Sequence, residues 1–150
     1  MILSSPDPAC DPAYAARLLR LQHASYALEA ALLDDTRLPP LREDEVELAA
    51  WRGRWLAAWD GVDLLGAVAW REAPDVVEID KVMVDPGALR RGVASTMLGR
   101  VLDEAGEREV LVATGTANRP AIALYATLGF RREAEEQVPP GIRITRLRRP

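Results

Sequence analysis

The chain has little of what builds disulfides, metal centres or nucleic-acid surfaces. It carries one cysteine and one histidine in 150 residues. A single cysteine, Cys10, excludes an intrachain disulfide, as suits a reducing compartment. A single histidine, His23, argues against a histidine-rich metal site, and no metal is expected. Lysine and arginine together number 19 against 23 acidic residues, a formal net charge of −4. That balance argues against nucleic acid as the main partner. No apolar run is long enough to span a membrane, and the start Met1-Ile-Leu-Ser-Ser-Pro6 lacks the basic region of a secretion signal. A cytoplasmic setting with no membrane partner is the expectation. No internal repeat or low-complexity tract interrupts the chain. At 49% hydrophobic and 28% charged residues, it reads as one domain over residues 1–150 with a sizeable core.

Against this acidic background one basic loop stands out. Val82-Met-Val-Asp-Pro-Gly-Ala-Leu-Arg-Arg-Gly-Val-Ala-Ser95 reads as a strand, a short loop and the start of a helix. A helix start presents unpaired N–H groups and partial positive charge, so it receives anions. Arg90 and Arg91 add two cations, and Gly92 lets backbone approach a ligand. Arg90, Arg91, Gly92, Val93, Ala94 and Ser95 are therefore candidate ligands for a phosphate or pyrophosphate. The nucleotide-triphosphate loop G-x-x-x-x-G-K-[S/T] and the dinucleotide fingerprint G-x-G-x-x-G are both absent. Taken alone, an arginine pair before a helix is more often a solvated turn than a ligand site.

The rest of the chain alternates helical and strand periods. Pro12 to Leu33 reads as a helix, with Leu18, Leu21, Leu28 and Leu32 near helical spacing. Arg37-Leu-Pro-Pro-Leu41 breaks the chain, and a shorter helix follows over Glu43 to Trp51. Arg54 to Trp59 and Leu64 to Arg71 read as strands joined at Asp60-Gly61. Val76 to Val84 is the next strand. Its apolar positions step from Ile79 to Val82, an odd interval that predicts a bulge near Lys81–Val82. Ala94, Met97, Leu98, Val101, Leu102 and Ala105 define the clearest helix, ending at Gly106. A strand over Glu109 to Thr114 follows. Asn118 then caps a helix with Pro120 in its first turn, bearing Ala121, Leu124, Tyr125 and Leu128 on one face. Strands from Phe130 and over Gly141 to Leu147 complete the order. A short first strand at Ile2-Leu3 is an addition at the start.

Two signatures in this order resemble the GNAT superfamily of acetyl-CoA-dependent N-acyltransferases. The first is Val84-Asp-Pro86 followed by Leu89-Arg-Arg-Gly92-Val-Ala94. The second is Asn118, Tyr125 and Leu128-Gly129-Phe130. The resemblance covers Leu64 to Phe130 well and the flanks more loosely. It implies an α/β fold with a mixed, mostly antiparallel sheet flanked by helices and a bulged strand at the coenzyme site. It also implies transfer of an acetyl group from acetyl-CoA to a primary amine by direct attack, the acceptor being a small molecule or a peptide. Many relatives pair through their sheets, so a homodimer is a further expectation. Two departures stand out. Leu89 occupies a position that is usually Gln or Arg, and the strand before Asn118 carries Val112-Ala113-Thr114 where some members place an acidic base. They sustain a rival reading, a catalytically idle acyl-CoA-binding sensor.

On that resemblance, backbone groups of Val82, Met83 and Val84 hold the pantetheine arm and polarise the thioester carbonyl. Arg90 to Ser95 bind the pyrophosphate, and Asn118 touches the coenzyme or caps its helix. Tyr125 is the candidate proton donor to the leaving thiolate, its phenol titrating near 10 in water; the alternative is a core tyrosine. Glu78 and Asp80, two apart on one strand, are the candidate bases, and either reads equally as an ion-paired surface residue. His23 and Glu29 read as a solvated helix face, with an acceptor-lining role as the alternative. Trp51, Trp55, Trp59 and Trp70 read as core or sheet-face residues, and Arg143, Arg146, Arg148 and Arg149 as a solvated strand face and tail.

Overall fold

The computed structural model describes residues 1–150. Seven strands form one sheet: β1 (Ile2–Ser4), β2 (Arg54–Asp60), β3 (Asp63–Glu72), β4 (Val76–Val84), β5 (Glu109–Gly115), β6 (Arg131–Val138) and β7 (Ile142–Arg149). Their order across the sheet is β1-β2-β3-β4-β5-β7-β6. Every neighbouring pair is antiparallel except β4 and β5, which run parallel. The helices are α1 (Pro12–Leu33), α2 (Glu45–Ala50), α3 (Val93–Ala105) and α4 (Arg119–Thr127). This is the expected mixed, mostly antiparallel α/β architecture. The boundaries moved at α2, which starts after the Asp44 cap, and at β7, which runs on to Arg149. Local chemistry sets the helix ends. Asp11, Asp44 and Asn118 each accept a backbone N–H with their side chains at an N-terminus. Gly92 caps α3 with φ 75°, a left-handed conformation that glycine adopts at no steric cost.

Two cores sandwich the sheet. On one face α3 and α4 bury Met97, Leu98, Val101 and Ile122 against Leu56, Val68, Trp70 and Val77. On the other, α1 and α2 bury Tyr14, Leu18, Leu21 and Leu48 against Trp55, Ala57, Ala67 and Ala69. Strand residues alternate between these cores at period two, as a sheet covered on both faces requires. The tryptophans divide as expected of core and sheet-face residues: Trp55 and Trp70 are buried, and Trp51 and Trp59 pack against the α1 core from its edge. Three arginines of β7 are ion-paired rather than simply solvated, Arg143 with Glu135, Arg146 with Glu136, and Arg148 with Glu133 and Glu109, while Arg149 Nε donates to Leu128 O at 3.0 Å.

Strand β4 breaks the alternation once. Ala69 pairs with Lys81 and Trp70 with Ile79, so Asp80 has no opposite residue on β3. Before this point Val77 and Ile79 pack toward α3 and α4. After it Met83 packs toward α1, while Val82 and Val84 turn to the α3 side. One inserted residue has exchanged the faces. The odd step in the sequence is therefore real, but the bulge lies at Asp80, one place earlier than expected. The apolar pattern misplaced it because Lys81 itself points inward, at 6% exposure.

The bulge has a second effect. Strands β4 and β5 pair only over Val76–Glu78 and Glu109–Leu111. Beyond that, β4 stays with β3 and β5 stays with β7. The sheet splits between them and leaves a wedge roofed by α1 and α4.

Candidate active site

The wedge holds a cleft of about 290 Å³. Its lining comes from α1 (Ser25, Tyr26, Glu29), β4 (Asp80, Lys81, Val82, Val84), β5 (Thr114) and α4 (Leu124, Tyr125), with Leu89 and Ala94 at the mouth.

One wall is backbone. The Asp85 N–H donates to Leu65 O on β3 at 2.8 Å. Successive N–H groups along a strand alternate between its edges, so those of Val84 and Val82 face the cleft. The Val84 N–H in fact donates to Ser25 Oγ across it, at 3.3 Å. Met83 behaves differently from its neighbours. All three residues pair with β3, but by the same alternation the Met83 N–H points toward β3, and its side chain is fully buried in the α1 core, so it turns away from the cleft.

The mouth is the basic loop. Arg90 has φ 63° and Gly92 φ 75°. Two left-handed residues flanking Arg91 curl the chain ahead of α3, the kind of turn whose N–H groups converge on an anion. In a non-glycine residue that conformation costs about 1 kcal/mol, a strain that folds retain mainly at functional positions. The Arg91 guanidinium lies 3.4 Å from Asp60 on β2, behind the loop rather than over the cleft. Val93 is a core residue, Ala94 lines the cleft, and Ser95 is exposed. Asn118 also lines the cleft, and its Oδ1 accepts from the Ala121 N–H at 3.3 Å, so it is the cap of α4.

The opposite wall is side chains. Tyr125 is 4% exposed, and its ring packs edge-on against Phe130 with centroids 5.5 Å apart. Its hydroxyl has no protein partner and faces the cleft. Burial, and then the charge of Glu29, push the phenol well above its ordinary value. Tyr26, which the sequence reading passed over, is pushed up in the same way, by burial first and then by Glu29, Tyr125, Asp80 and Glu43. Of the two candidate bases only Asp80 lines this cleft. Glu78 lies 3.7 Å from Arg71 and reaches a smaller cavity beneath β5 and β7, which it shares with Asp80. Asp80 is held above its ordinary value by desolvation in the bulge; Lys81 and Arg71 pull it back, and Glu43 and Glu78 add to the rise.

Lys81 is the chain's one lysine against eighteen arginines. Its Nζ donates to Gln22 Oε1 at 2.9 Å and to Glu43 Oε2 and Oε1 at 2.7 and 3.0 Å. Gln22 Nε2 donates to Pro40 O at 2.9 Å, and His23 Nε2 sits 3.1 Å from Glu43 O. This network pins the segment between α1 and α2 to β4. His23 thus serves that segment and not the cleft, whereas Glu29 lines the cleft. The signal for these residues was in the sequence. Gln22, Ser25, Tyr26 and Glu29 stand at i, i+3, i+4 and i+7, a polar stripe on one face of α1.

Residues 18–130 match the sequence profile of the Acetyltransferase (GNAT) family. An N-alpha-acetyltransferase RimI from Mycobacterium tuberculosis is 33% identical over 110 residues, covering 70% of this chain and 69% of that protein. Three other curated relatives are much longer, and the chain spans 35%, 20% and 34% of their lengths. Among solved structures, the ribosomal-protein-S18-alanine N-acetyltransferase from Escherichia coli aligns with a TM-score of 0.76 at 17% identity, covering 99% of this chain and 92% of that one. The PaiA N-acetyltransferase from Thermoplasma acidophilum, in complex with coenzyme A, aligns with a TM-score of 0.71 at 14% identity, covering 97% and 98%.

Proposed function

The chain belongs to the acetyltransferase (GNAT) family, and from that premise we propose that it moves the acetyl group of acetyl-CoA to a primary amine by direct attack. One observation carries this reading. The unpaired edge of β4 presents the N–H groups of Val82 and Val84 to the same cleft that receives the Tyr125 hydroxyl. The cleft, about 290 Å³ with a mostly apolar lining, suits a slender pantetheine arm and acetyl group. The nucleotide end then rests outside, on the loop from Arg90 to Ser95.

Acetyl-CoA supplies an electrophilic thioester carbon and a thiolate leaving group. The chain's residues do the rest. The N–H groups of Val82 and Val84 hold the arm and face the carbonyl oxygen as charge builds on it. Asp80, its carboxylate made more basic by desolvation, takes a proton from the attacking nitrogen. A C–N bond forms, the C–S bond breaks, and Tyr125 donates to the departing sulfur. Because its phenol is held above the ordinary value, Tyr125 stays protonated at neutral pH. It acts first as a hydrogen-bond donor and gives up its proton only as sulfur charge develops.

The test has two arms. Acetyl-CoA should bind with a Kd near 1 μM, about −8 kcal/mol, and raise the melting temperature by mass action. A panel of primary amines should then release free thiol from acetyl-CoA. Absence of coenzyme binding refutes the reading. Binding with no turnover across the panel favours the acyl-CoA sensor, which Leu89 at the loop and the missing acid on β5 also support.

A further inference from the structure

Glu29 of α1 reaches β5, where its Oε1 accepts from Thr114 Oγ1 at 3.2 Å and from the Gly115 N–H at 3.1 Å. Both donors engage the same oxygen, so Oε2 has no protein partner, and the residue lines the cleft. A helix carboxylate locked to a strand by two donors is held at one place and is still able to bind.

We propose that Glu29 anchors the acceptor's ammonium group and makes the site selective for cationic amines. The proposal rests on the acetyl-transfer reading and names the class of its acceptor.

Charge matching carries it. The charged groups around the cleft come from α1 (Glu29), the segment after it (Glu43), β4 (Glu78, Asp80, Lys81) and β3 (Arg71). Lys81 has three protons and three acceptors, two of them on Glu43, so that pair is closed. Arg71 faces Glu78. Glu29 and Asp80 are left without a cation, on a mostly apolar lining. Glu29 is half-buried there with one oxygen unpartnered, and a carboxylate without a cation on an apolar lining favours a positive guest. A second observation points to a ligand at the same place. The Tyr125 side chain is 96% buried and unpartnered, with its hydroxyl open to the cleft that Glu29 lines. Tyr26 completes the ring of groups there. An ammonium held at Glu29 gives one proton to Asp80, which passes it to water on its exposed side; the freed lone pair attacks the thioester carbon, and the second nitrogen proton leaves by the same carboxylate as the C–S bond breaks and Tyr125 donates to the sulfur.

Glu29→Gln isolates the charge. The amide oxygen still accepts from Thr114 and Gly115, so the tie between α1 and β5 survives. The probe is butylammonium chloride, titrated into the free protein at constant ionic strength, with butanol as the neutral match. The readout is the amide resonances of Thr114 and Gly115, which sit on the carboxylate. Saturable shifts with butylammonium, absent with butanol and weakened at least tenfold in Glu29→Gln, are expected. Equal shifts from butanol, equal affinity in Glu29→Gln, or no saturable shift at all would overturn the anchor. Calorimetry with acetyl-CoA on the same sample judges the underlying reading separately. Acetyl-CoA binding without ammonium binding defeats the anchor alone. Failure of acetyl-CoA to bind defeats the acetyl-transfer reading, while the ammonium titration still decides Glu29.

Discussion

The two walls of the cleft are built on different principles. The proposed coenzyme wall is one continuous stretch, Val82 to Ser95, and it is built mostly of backbone: free N–H groups on β4, a left-handed curl at Arg90 and Gly92, and the start of α3. The facing wall is assembled from Tyr26 and Glu29, Glu43, Asp80 and Lys81, and Tyr125, which are scattered over a hundred positions of chain. A backbone site tolerates changes of side chain but depends on local geometry. A side-chain site depends on tertiary packing to bring its members together. Damage to one wall should therefore leave the other nearly intact, and substitutions test this in turn.

The largest effect is expected at Lys81, the bolt of the side-chain wall. Lys81→Met leaves Glu43 and Gln22 facing a thioether. Removing one partner of a buried pair costs about 3–5 kcal/mol, and because Glu43 keeps 24% of its surface in water the lower figure applies. In a domain of this size ~3 kcal/mol lowers the melting temperature by roughly 6–12 °C. Acetyl-CoA affinity of the folded fraction should barely change. A loss below ~1 kcal/mol would mean the pair behaves as a surface bridge. A parallel loss of coenzyme affinity would mean the two walls are not separate.

Next comes Tyr125→Phe, which removes only a hydroxyl that has no protein partner. Melting temperature and acetyl-CoA affinity should stay as they were, while kcat falls ~10²-fold, the lower range for general acid catalysis. The deficit should shrink with an acyl donor whose thiol is a better leaving group. Unchanged kcat would leave water as the proton source.

On the backbone wall, Arg90→Gly should act in two directions at once. Glycine relaxes the φ of 63° and stabilises the free protein by about 1 kcal/mol. Loss of the cation weakens acetyl-CoA binding by ~1.5 kcal/mol, about tenfold. Opposite signs on one substitution mark strain retained for binding. If stability rises with no loss of affinity, Arg90 contributes shape but no charge.

What the sequence disclosed follows the same division. The loop, the caps at Asn118 and Gly106, and the helix of Met97 to Leu102 are local, so spacing and residue type revealed them. The bulge was seen as an odd step and misplaced by one residue, because an inward-facing lysine does not register in an apolar pattern. Glu29 was read as a solvated helix face, since nothing local says that β5 will offer Thr114 and Gly115 as donors. Met83 was grouped with Val82 and Val84, since only the register of β4 on β3 shows which N–H groups are already used.

Asp80→Asn probes the facing wall through pH. Desolvation holds the folded carboxyl above its unfolded value. Between those two values the folded state binds more protons than the unfolded one, so the stability this group contributes is present at low pH and lost as pH rises through the folded value. At neutral pH the native Asp80 is therefore a net cost, and the Asn variant should melt slightly higher. The gap should close as pH falls below the ordinary aspartate range. Because Asp80 is open to solvent on one side, the gain should stay below ~1 kcal/mol. Equal melting temperatures at every pH would show the carboxylate to be fully solvated.

The smallest effect lies where the walls meet. Ser25 Oγ accepts the Val84 N–H at 3.3 Å, a long bond from the side-chain wall to the backbone one. On the proposed reading, a thioester carbonyl or pantetheine oxygen takes that same N–H. Ser25 is therefore a competitor for the coenzyme as well as a tie between α1 and β4. Ser25→Ala removes an acceptor across an open cleft, so the freed N–H is not left buried without water, and the stability loss should be at most ~0.5 kcal/mol. Acetyl-CoA binding should tighten by a similar amount, about twofold, because no protein bond has to be given up on binding. If affinity instead falls, the serine hydroxyl is itself a ligand of the coenzyme and the separation of the walls fails at this point. If neither stability nor affinity moves, the Val84 N–H is not the group that the coenzyme uses, and Val82 carries that contact alone.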